Sequence, residues 1–223
     1  MTLTRLLEIS PWAQTLTATQ RARIGETATV RRVAAGGFVC RNGESVDHWI
    51  GIIDGLVKMA NVSADGKQTT FTGIRDGGWF GEGSLLKDEP RRYDIVALRE
   101  SIVAYVPRAT FLALLDGSAA FNRFLIMQLN ERLGQFIGMV EHDRLLGPEA
   151  RIAQCLAGLF NPVLYAGIGA SLPISQEELG QLAGLSRQRV NQALKVLEQK
   201  GLLRVDYGGV TVRDLAGLRE FHG

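Results

Sequence analysis

The stretch ISQEELGQLAGLSRQRVNQALKVLEQKGLL, residues 174–203, constrains the fold most, because it carries start and stop signals for two short helices. Ser175 and Glu178 form a capping box, which begins a helix. A turn follows at residues 184–186, and its serine is a good N-cap for a second helix, which Gly201 ends. Two short helices joined by a glycine-containing turn of this length predict a helix-turn-helix.

The residues after the second helix have the pattern of a β-hairpin. Residues 202–205 and 210–213 are short β-prone runs on either side of the turn sequence DYGG at 206–209. A hairpin in this place predicts a wing beside the helix-turn-helix.

The second helix has one apolar face, at Val190, Ala193, Leu194 and Leu197, and one polar, basic face. In a helix-turn-helix, the first residues of this helix reach base edges in the major groove of DNA. Arginine can bind guanine at O6 and N7, and glutamine can bind adenine at N6 and N7. The alternative is an ordinary helix corner with a solvated basic face, but the accompanying caps, turn and wing favour DNA binding. We predict these DNA-binding residues: Ser186, Arg187, Gln188, Arg189, Gln192 and Lys195.

The part of the chain before Pro107 has a different character. Residues 1–30 predict one or two short helices, and short β-like runs then extend to Pro107. Turn signals such as Asp54-Gly55 and Asp65-Gly66 separate these runs. Many short strands at close intervals predict a barrel or jelly roll.

A helical pattern follows Pro107 and extends to Leu146. It contains a short heptad seam, which predicts pairing with a second helix in a dimer. The alternative, an amphipathic helix packed on its own barrel, remains open. The predicted dimer interface consists of Ile126, Leu129, Leu133, Phe136 and Val140.

The sequence Gly147-Pro148-Glu149 breaks the long helix and restarts a new one. We therefore predict three parts of the chain. They are a sensor domain with N-terminal helices at residues 1–117, a dimerisation helix with its hinge at 118–147, and a DNA-binding domain at 148–223.

Composition narrows the function classes. The net charge is only +2, so any affinity for nucleic acid must come from local clustering of basic residues. Cys40 and Cys155 stand apart, which argues against a disulfide framework, a zinc site or an iron–sulfur cluster. Neither a signal peptide nor an apolar run of about 20 residues is visible, so we expect a cytoplasmic protein without a membrane partner.

The chain resembles the Crp/Fnr superfamily of bacterial transcription regulators. The resemblance rests on DGLVKM at 54–59, DGGWFGE at 76–82, RIAQCL at 151–156 and the helix-turn-helix block at 174–203. It implies an α+β fold with a cyclic-nucleotide-binding-type β-roll, a long dimerisation helix and a winged helix-turn-helix. It also implies a homodimer that reads a palindromic site on double-stranded DNA, works with RNA polymerase and responds to a ligand in the β-roll.

In the cAMP-binding members, the phosphate cassette reads Gly-Glu, about nine residues, and then Arg-Ser/Thr-Ala. In this chain Tyr93 and Asp94 replace the small residues, and Phe136 and Ile137 replace the polar pair that would face the adenine. These departures predict an effector other than cAMP. The candidate effector-binding residues are Gly81, Glu82, Gly83, Ser84, Arg92, Tyr93 and Phe136.

Other interpretations remain open at this stage. One is a ligand-independent DNA-binding dimer. Another is a true cAMP-responsive regulator, which the residues of the cassette favour least. Haem sensing would depend on His48, the single histidine of the roll. A metal-dependent barrel enzyme would need histidines converging with a carboxylate, and His48, His142 and His222 are far apart in the sequence, so we expect no enzyme.

Overall fold

The computed structural model describes residues 2–62, 68–145 and 147–222, and it describes their side chains except for those of Gln68 and residues 140–145. The turn predicted at Asp65-Gly66 and the helix end predicted at Leu146 lie outside the described residues. The elements before the long helix are α1 (Leu3–Ile9), α2 (Pro11–Gln14), α3 (Ala18–Thr27), β1 (Thr29–Val33), β2 (Phe38–Cys40), β3 (His48–Asp54), β4 (Leu56–Val62), β5 (Gln68–Arg75), β6 (Trp79–Phe80), α4 (Glu82–Lys87), β7 (Asp94–Ala97), β8 (Ser101–Pro107) and α5 (Arg108–Gly117). The remaining elements are α6 (Ala119–Leu145), α7 (Pro148–Leu159), β9 (Ser171–Pro173), α8 (Gln176–Ala183), α9 (Arg187–Gln199), β10 (Leu203–Asp206), β11 (Gly209–Val212) and α10 (Leu215–Arg219).

The strands β1 to β8 form a roll of two antiparallel four-stranded sheets. Their orders are β1-β8-β3-β6 and β2-β7-β4-β5. Alternate side chains from both sheets fill the interior, including Ile52, Val57 and Phe80. The predicted α+β fold with a jelly-roll-like N-terminal domain is confirmed.

The N-terminal helices close one side of the roll through aromatic packing. Trp49 and Trp79 stack with their ring centroids 4.4 Å apart, and Trp12 packs against both. Phe121, near the start of α6, contacts Trp12 and Trp49 in the same cluster. These aromatic rings therefore belong to the core that fixes α6 against the roll. Residues 1–30 contain three helices where the sequence predicted one or two.

The long helix α6 has 27 residues and follows α5, between the roll and the C-terminal helices. In the part of the chain that the structure describes, no single helix combines the length and hydropathy of a membrane span. Two consecutive helical segments, Arg108–Gly117 and Ala119–Met139, meet that criterion only when they are taken together. The chain bends by 110° between them.

The C-terminal part is a winged helix-turn-helix with its own core. Helices α7, α8 and α9 pack together, and β10, β11 and β9 form a three-stranded sheet in that order. The strand Ser171–Pro173 corrects the sequence analysis, which had not predicted it, and it pairs with β11 from Gly209 to Thr211.

This domain rests on the roll of the same chain. The Tyr165 hydroxyl donates a hydrogen bond to the carbonyl of Gly73, at 3.1 Å. Nε of Arg99 lies 2.8 Å from Oε1 of Glu178, the residue that also completes the capping box of α8. The two folded parts are therefore joined by polar contacts as well as by the chain.

Candidate DNA interface and effector site

The N-terminus of α9 presents a polar face to solvent. The Ser186 side chain caps the helix and accepts a hydrogen bond from the backbone N–H of Arg189, at 3.4 Å. This cap satisfies one backbone N–H at the helix N-terminus. All six predicted DNA-binding residues are exposed: Ser186, Arg187, Gln188, Arg189, Gln192 and Lys195.

The opposite face of α9 fixes the helix in the domain. Val190, Ala193 and Leu197 are fully buried in the core with α7 and α8, as the apolar spacing predicted. Gly184 ends α8 in the left-handed conformation, with φ of 66°, which allows the sharp turn into α9. The exposed polar face is therefore held on a rigid scaffold.

The wing beside α9 carries one residue that the sequence analysis did not include. Tyr207 lies in the turn between β10 and β11, and its side chain is fully exposed. Asp206 next to it accepts hydrogen bonds from Arg204 and Thr211, which fixes the hairpin. The sequence places Tyr207 within the predicted turn. It does not show that the side chain is exposed, because that depends on the register of the hairpin.

The cassette of the roll is centred on Glu82, which begins α4. Glu82 is buried, and its Oε2 has no hydrogen-bond partner among the described residues. Its other oxygen, Oε1, lies 3.6 Å from Nε of Arg132 on α6. Gly83 and Ser84 follow on α4, with Ser84 buried. A buried carboxylate with one open oxygen can accept a hydrogen bond from a ligand hydroxyl.

Arg91, which was not among the predicted residues, is the buried arginine of this cassette. Its Nη2 donates a hydrogen bond to the carbonyl of His48, at 2.9 Å, and its Nη1 has no partner among the described residues. Gly81 has φ of 94°, and a Cβ atom there would lie 2.8 Å from Nη1 of Arg91. The absence of a side chain at Gly81 is therefore what admits the guanidinium.

Arg92, the residue matched to the family pattern, lies outside this buried group. Its side chain is 69% exposed, and Nη2 is 2.7 Å from Oε2 of Glu89. The hydrogen bond from Arg92 holds the pKa of the Glu89 carboxyl below its usual value. Arg92 therefore pairs with a surface carboxylate in this structure.

Two polar residues of α6 connect the cassette to the long helix. Nη2 of Arg132 and Nε2 of Gln128 both donate to the carbonyl of Trp79, at 2.6 and 3.3 Å. Both side chains are buried. The sequence analysis did not include either residue, although their spacing of four places both on one side of a helix.

Tyr93 and Phe136 line the same region of the roll. Tyr93 packs against the interior core, and the pKa of its hydroxyl is raised to about 12. Burial is the main cause, the nearby Glu82 carboxylate contributes in the same direction, and Arg132 opposes both. Phe136 is half-buried and meets the Phe71 ring edge-on at 6.3 Å.

The histidines do not form a cluster in the part of the chain that the structure describes. His48 is half-buried, its ring meets Tyr105 at 5.8 Å, and burial lowers its pKa. The side chain of His142 lies outside the described residues. Among the described residues, no three His, Cys, Asp or Glu side chains are grouped so that they could hold a metal ion.

An apolar stripe on α6 remains exposed within the single chain. Ile126 and Leu133 are more than half exposed, at 61% and 56%, and Leu129 is exposed at 37%. Phe136 turns toward the roll, and Ile137 takes the next exposed position at 61%. The predicted position Val140 has a side chain outside the described residues. The exposed apolar positions Ile126, Leu129, Leu133 and Ile137 are three, four and four residues apart, so they share one face of α6.

Two family models match the two folded parts of the chain. Residues 30–118 match the family model of the cyclic nucleotide-binding domain, and residues 150–221 match that of the Crp-like helix-turn-helix domain. The chain is 31% identical over 169 residues to the cyclic AMP receptor protein of Thermus thermophilus, which covers 76% of each chain.

Solved structures show the same fold. The Thermus thermophilus catabolite activator protein is 26% identical with a TM-score of 0.52, over 95% of this chain and 97% of that one. FixK2 from Bradyrhizobium japonicum has a TM-score of 0.67 over 88% of this chain and 98% of that one, and its 18% identity supports the fold alone. The chain therefore belongs to the Crp/Fnr family of DNA-binding transcription regulators, with a cyclic-nucleotide-binding-type sensor domain ahead of its helix-turn-helix.

Proposed function

We propose that two copies of this chain bind one palindromic DNA site, with one α9 helix in each of two successive major grooves. The observation that carries the proposal is the exposed polar face of α9, with Arg187 and Arg189 beside a capped helix N-terminus. Arginine side chains and a helix N-terminus attract phosphates, and arginine also reads guanine. We propose the six exposed residues of that face as the DNA contacts.

The proposed dimer forms through the exposed apolar stripe of α6. Ile126, Leu133 and Ile137 are the most exposed members of this stripe. Water contact with so much apolar surface is unfavourable, and a second copy of the same helix can cover it symmetrically. A symmetric dimer also explains why the DNA site should be palindromic.

We propose that the effector of the roll is a molecule other than cAMP. Support comes from Arg92, which is exposed and paired with Glu89, and from Tyr93, which packs into the roll beside Glu82. The buried polar atoms of Glu82, Arg91 and Arg132 still suit a ligand that has both an anionic group and a hydroxyl group. The alternative is a dimer that binds DNA without any ligand. The proposal also includes control of transcription through RNA polymerase in the cytoplasm. It includes no enzymatic step.

Fluorescence anisotropy with labelled duplex DNA tests this function directly. The full chain is titrated onto a pool of random-sequence duplexes, with and without cAMP, and Arg187→Ala serves as the variant of the DNA face. At low salt, contacts between the arginines and phosphates do not require an effector, so we expect binding without cAMP and weaker binding by the variant. Absence of binding under both conditions would reject the DNA-reading proposal, and binding only with cAMP would reject the proposed effector class.

A further inference from the structure

Glu177, in the first turn of α8, is an exposed carboxylate close to Arg187 of the DNA face. The start of α8, the start of α9 and the hairpin turn of the wing border one open cavity of about 330 Å³. The charged residues that line this cavity are Glu177, Arg187 and Asp206. Glu177 therefore lies on the same surface of the helix-turn-helix as the arginine that the proposed function assigns to DNA.

The two neighbouring carboxylates are already paired within the protein. Oδ1 of Asp206 is 2.7 Å from Nε of Arg204. Oε1 of Glu178 is 2.8 Å from Nε of Arg99. The side chain of Glu177, by contrast, has no ion pair or hydrogen bond with any residue that the structure describes. Its negative charge therefore acts on whatever approaches this surface.

The position of Glu177 in the first helix determines which part of DNA it faces. When the second helix of a helix-turn-helix enters the major groove, the first helix crosses the phosphate backbone. Nε2 of Gln176 donates to Oδ1 of Asn191 at 3.4 Å, which ties the start of α8 to α9. The N-terminus of a helix attracts a phosphate, but a carboxylate in its first turn repels one. Glu177 thus opposes the phosphates at the end of α8 that would otherwise bind them.

We propose that Glu177 limits the affinity of the DNA face for phosphates on every sequence, so that base contacts decide which sites are occupied. The inference rests on the proposed function, in which α9 reads DNA. Nonspecific binding comes almost entirely from contacts with phosphates, whereas a specific site adds contacts with bases. A repulsion that acts on all sequences alike leaves nonspecific sites empty at protein concentrations at which specific sites are still bound.

A purely structural role of Glu177 leads to a different expectation. An acidic residue in the first turn of a helix stabilises that helix through its dipole. If this were the whole role of Glu177, Glu177→Gln would lower the free energy of unfolding and leave the affinity for DNA unchanged or weaker. The proposal predicts a gain of affinity, which damage to the fold does not produce. The direction of the change therefore distinguishes the two roles.

Fluorescence anisotropy of labelled duplexes of unrelated sequence provides the test, with the full chain and its variants. We expect Glu177→Gln to bind every duplex about three- to tenfold more tightly than the wild type at about 50 mM salt. The gain should shrink at about 200 mM salt, because the repulsion is screened. Glu26→Gln, at an exposed position on α3 in the N-terminal domain, makes the same change of charge and should leave the affinity unchanged.

The possible results separate this inference from the proposed DNA binding. If the wild type binds the duplexes and Glu177→Gln binds them no more tightly, the inference is wrong and the DNA-binding proposal stands. An equal gain from Glu26→Gln would show that net charge alone acts, and a gain confined to one sequence would assign Glu177 to a base; either result overturns the inference. Failure of the wild type to bind any duplex would overturn the proposed function, and this inference with it.

Discussion

Arg91 and Arg92 are neighbours in the chain, yet their guanidinium groups lie in opposite environments. Arg91 is buried and donates to the carbonyl of His48, whereas Arg92 lies at the surface, 2.7 Å from Glu89. Both residues lie in the connection between α4 and β7, whose course directs one guanidinium into the roll and the other to the surface. The arginine available to an effector is therefore displaced by one residue from the family pattern.

The packing of the cassette predicts that cAMP does not bind to it. We expect a calorimetric titration of cAMP into the full chain to give no saturable heat, because Tyr93 packs into the roll beside the buried Glu82, where the cAMP-binding pattern has a small residue. Arg92→Ala should behave as the wild type does. Saturable binding of cAMP would contradict the prediction, and its loss in Arg92→Ala would mean that the cassette rearranges around the nucleotide.

A second prediction concerns the contact between Arg99 and Glu178, which joins the roll to α8. Both side chains are mostly buried, so a coupling of about 0.5–1 kcal/mol is expected from a double-mutant cycle. Arg99→Gln and Glu178→Gln are suitable changes, because glutamine in place of Glu178 preserves the capping box with Ser175. The free energy of unfolding in urea is measured for each variant.

The exposed pair Arg32 and Glu100 is the matched control for this cycle. Its atoms are 2.6 Å apart, but both side chains are more than half exposed, so its coupling should be close to zero. Equal coupling energies for the two pairs would show that the contact of Arg99 with Glu178 contributes no more than a surface ion pair.

A third prediction separates base reading from phosphate contact on α9. Arg187→Ala should cost about 1–3 kcal/mol of binding free energy and relax specificity at one base pair. Lys195→Ala, one turn further along, should weaken all sequences alike and reduce the salt dependence. Both are measured by anisotropy on a set of duplexes with single base-pair changes. Uniform weakening by Arg187→Ala would assign that arginine to a phosphate instead.

A fourth prediction tests the dimer stripe of α6. Leu133→Glu should weaken self-association at least about tenfold, because the interface would then have to bury an unpaired charge. Sedimentation velocity over a range of concentrations gives the measurement. Val30→Glu, at an exposed apolar position on β1, is the control and should leave the association unchanged. A Leu133→Glu chain that still dimerises like the wild type would place the interface elsewhere.

The local signals of the helix-turn-helix were sufficient to predict it. Both hydrogen bonds of the capping box are present, at 2.7 and 3.1 Å between Ser175 and Glu178. They depend on residues three apart, so the sequence alone contains all the information. The strand Ser171–Pro173 was not predictable in this way, because it exists only through pairing with residues from Gly209 onward.

The effector cassette shows the limit of prediction by spacing. The family pattern led to Arg92 as the effector-binding arginine. After α4, however, Asp88 adopts the left-handed conformation, with φ of 54°. The local backbone that follows decides which of the two arginines turns inward. Arg132 was also missed, since its contact with Glu82 joins residues fifty positions apart. Such contacts depend on how α6 lies on the roll.

Selection of binding sites from a random-sequence duplex pool tests the central claim most directly. We expect the full chain to enrich a palindrome whose half-sites are centred about one helical turn apart, roughly 34 Å, as two α9 helices of a symmetric dimer require. The half-site should differ from the TGTGA type, because Gln188 and Gln192 lie on the reading face and can favour adenine. Enrichment of sequences without two-fold symmetry, or no enrichment at all, would contradict the proposal that a dimer reads the DNA. An unaltered TGTGA consensus would contradict the roles assigned to the two glutamines.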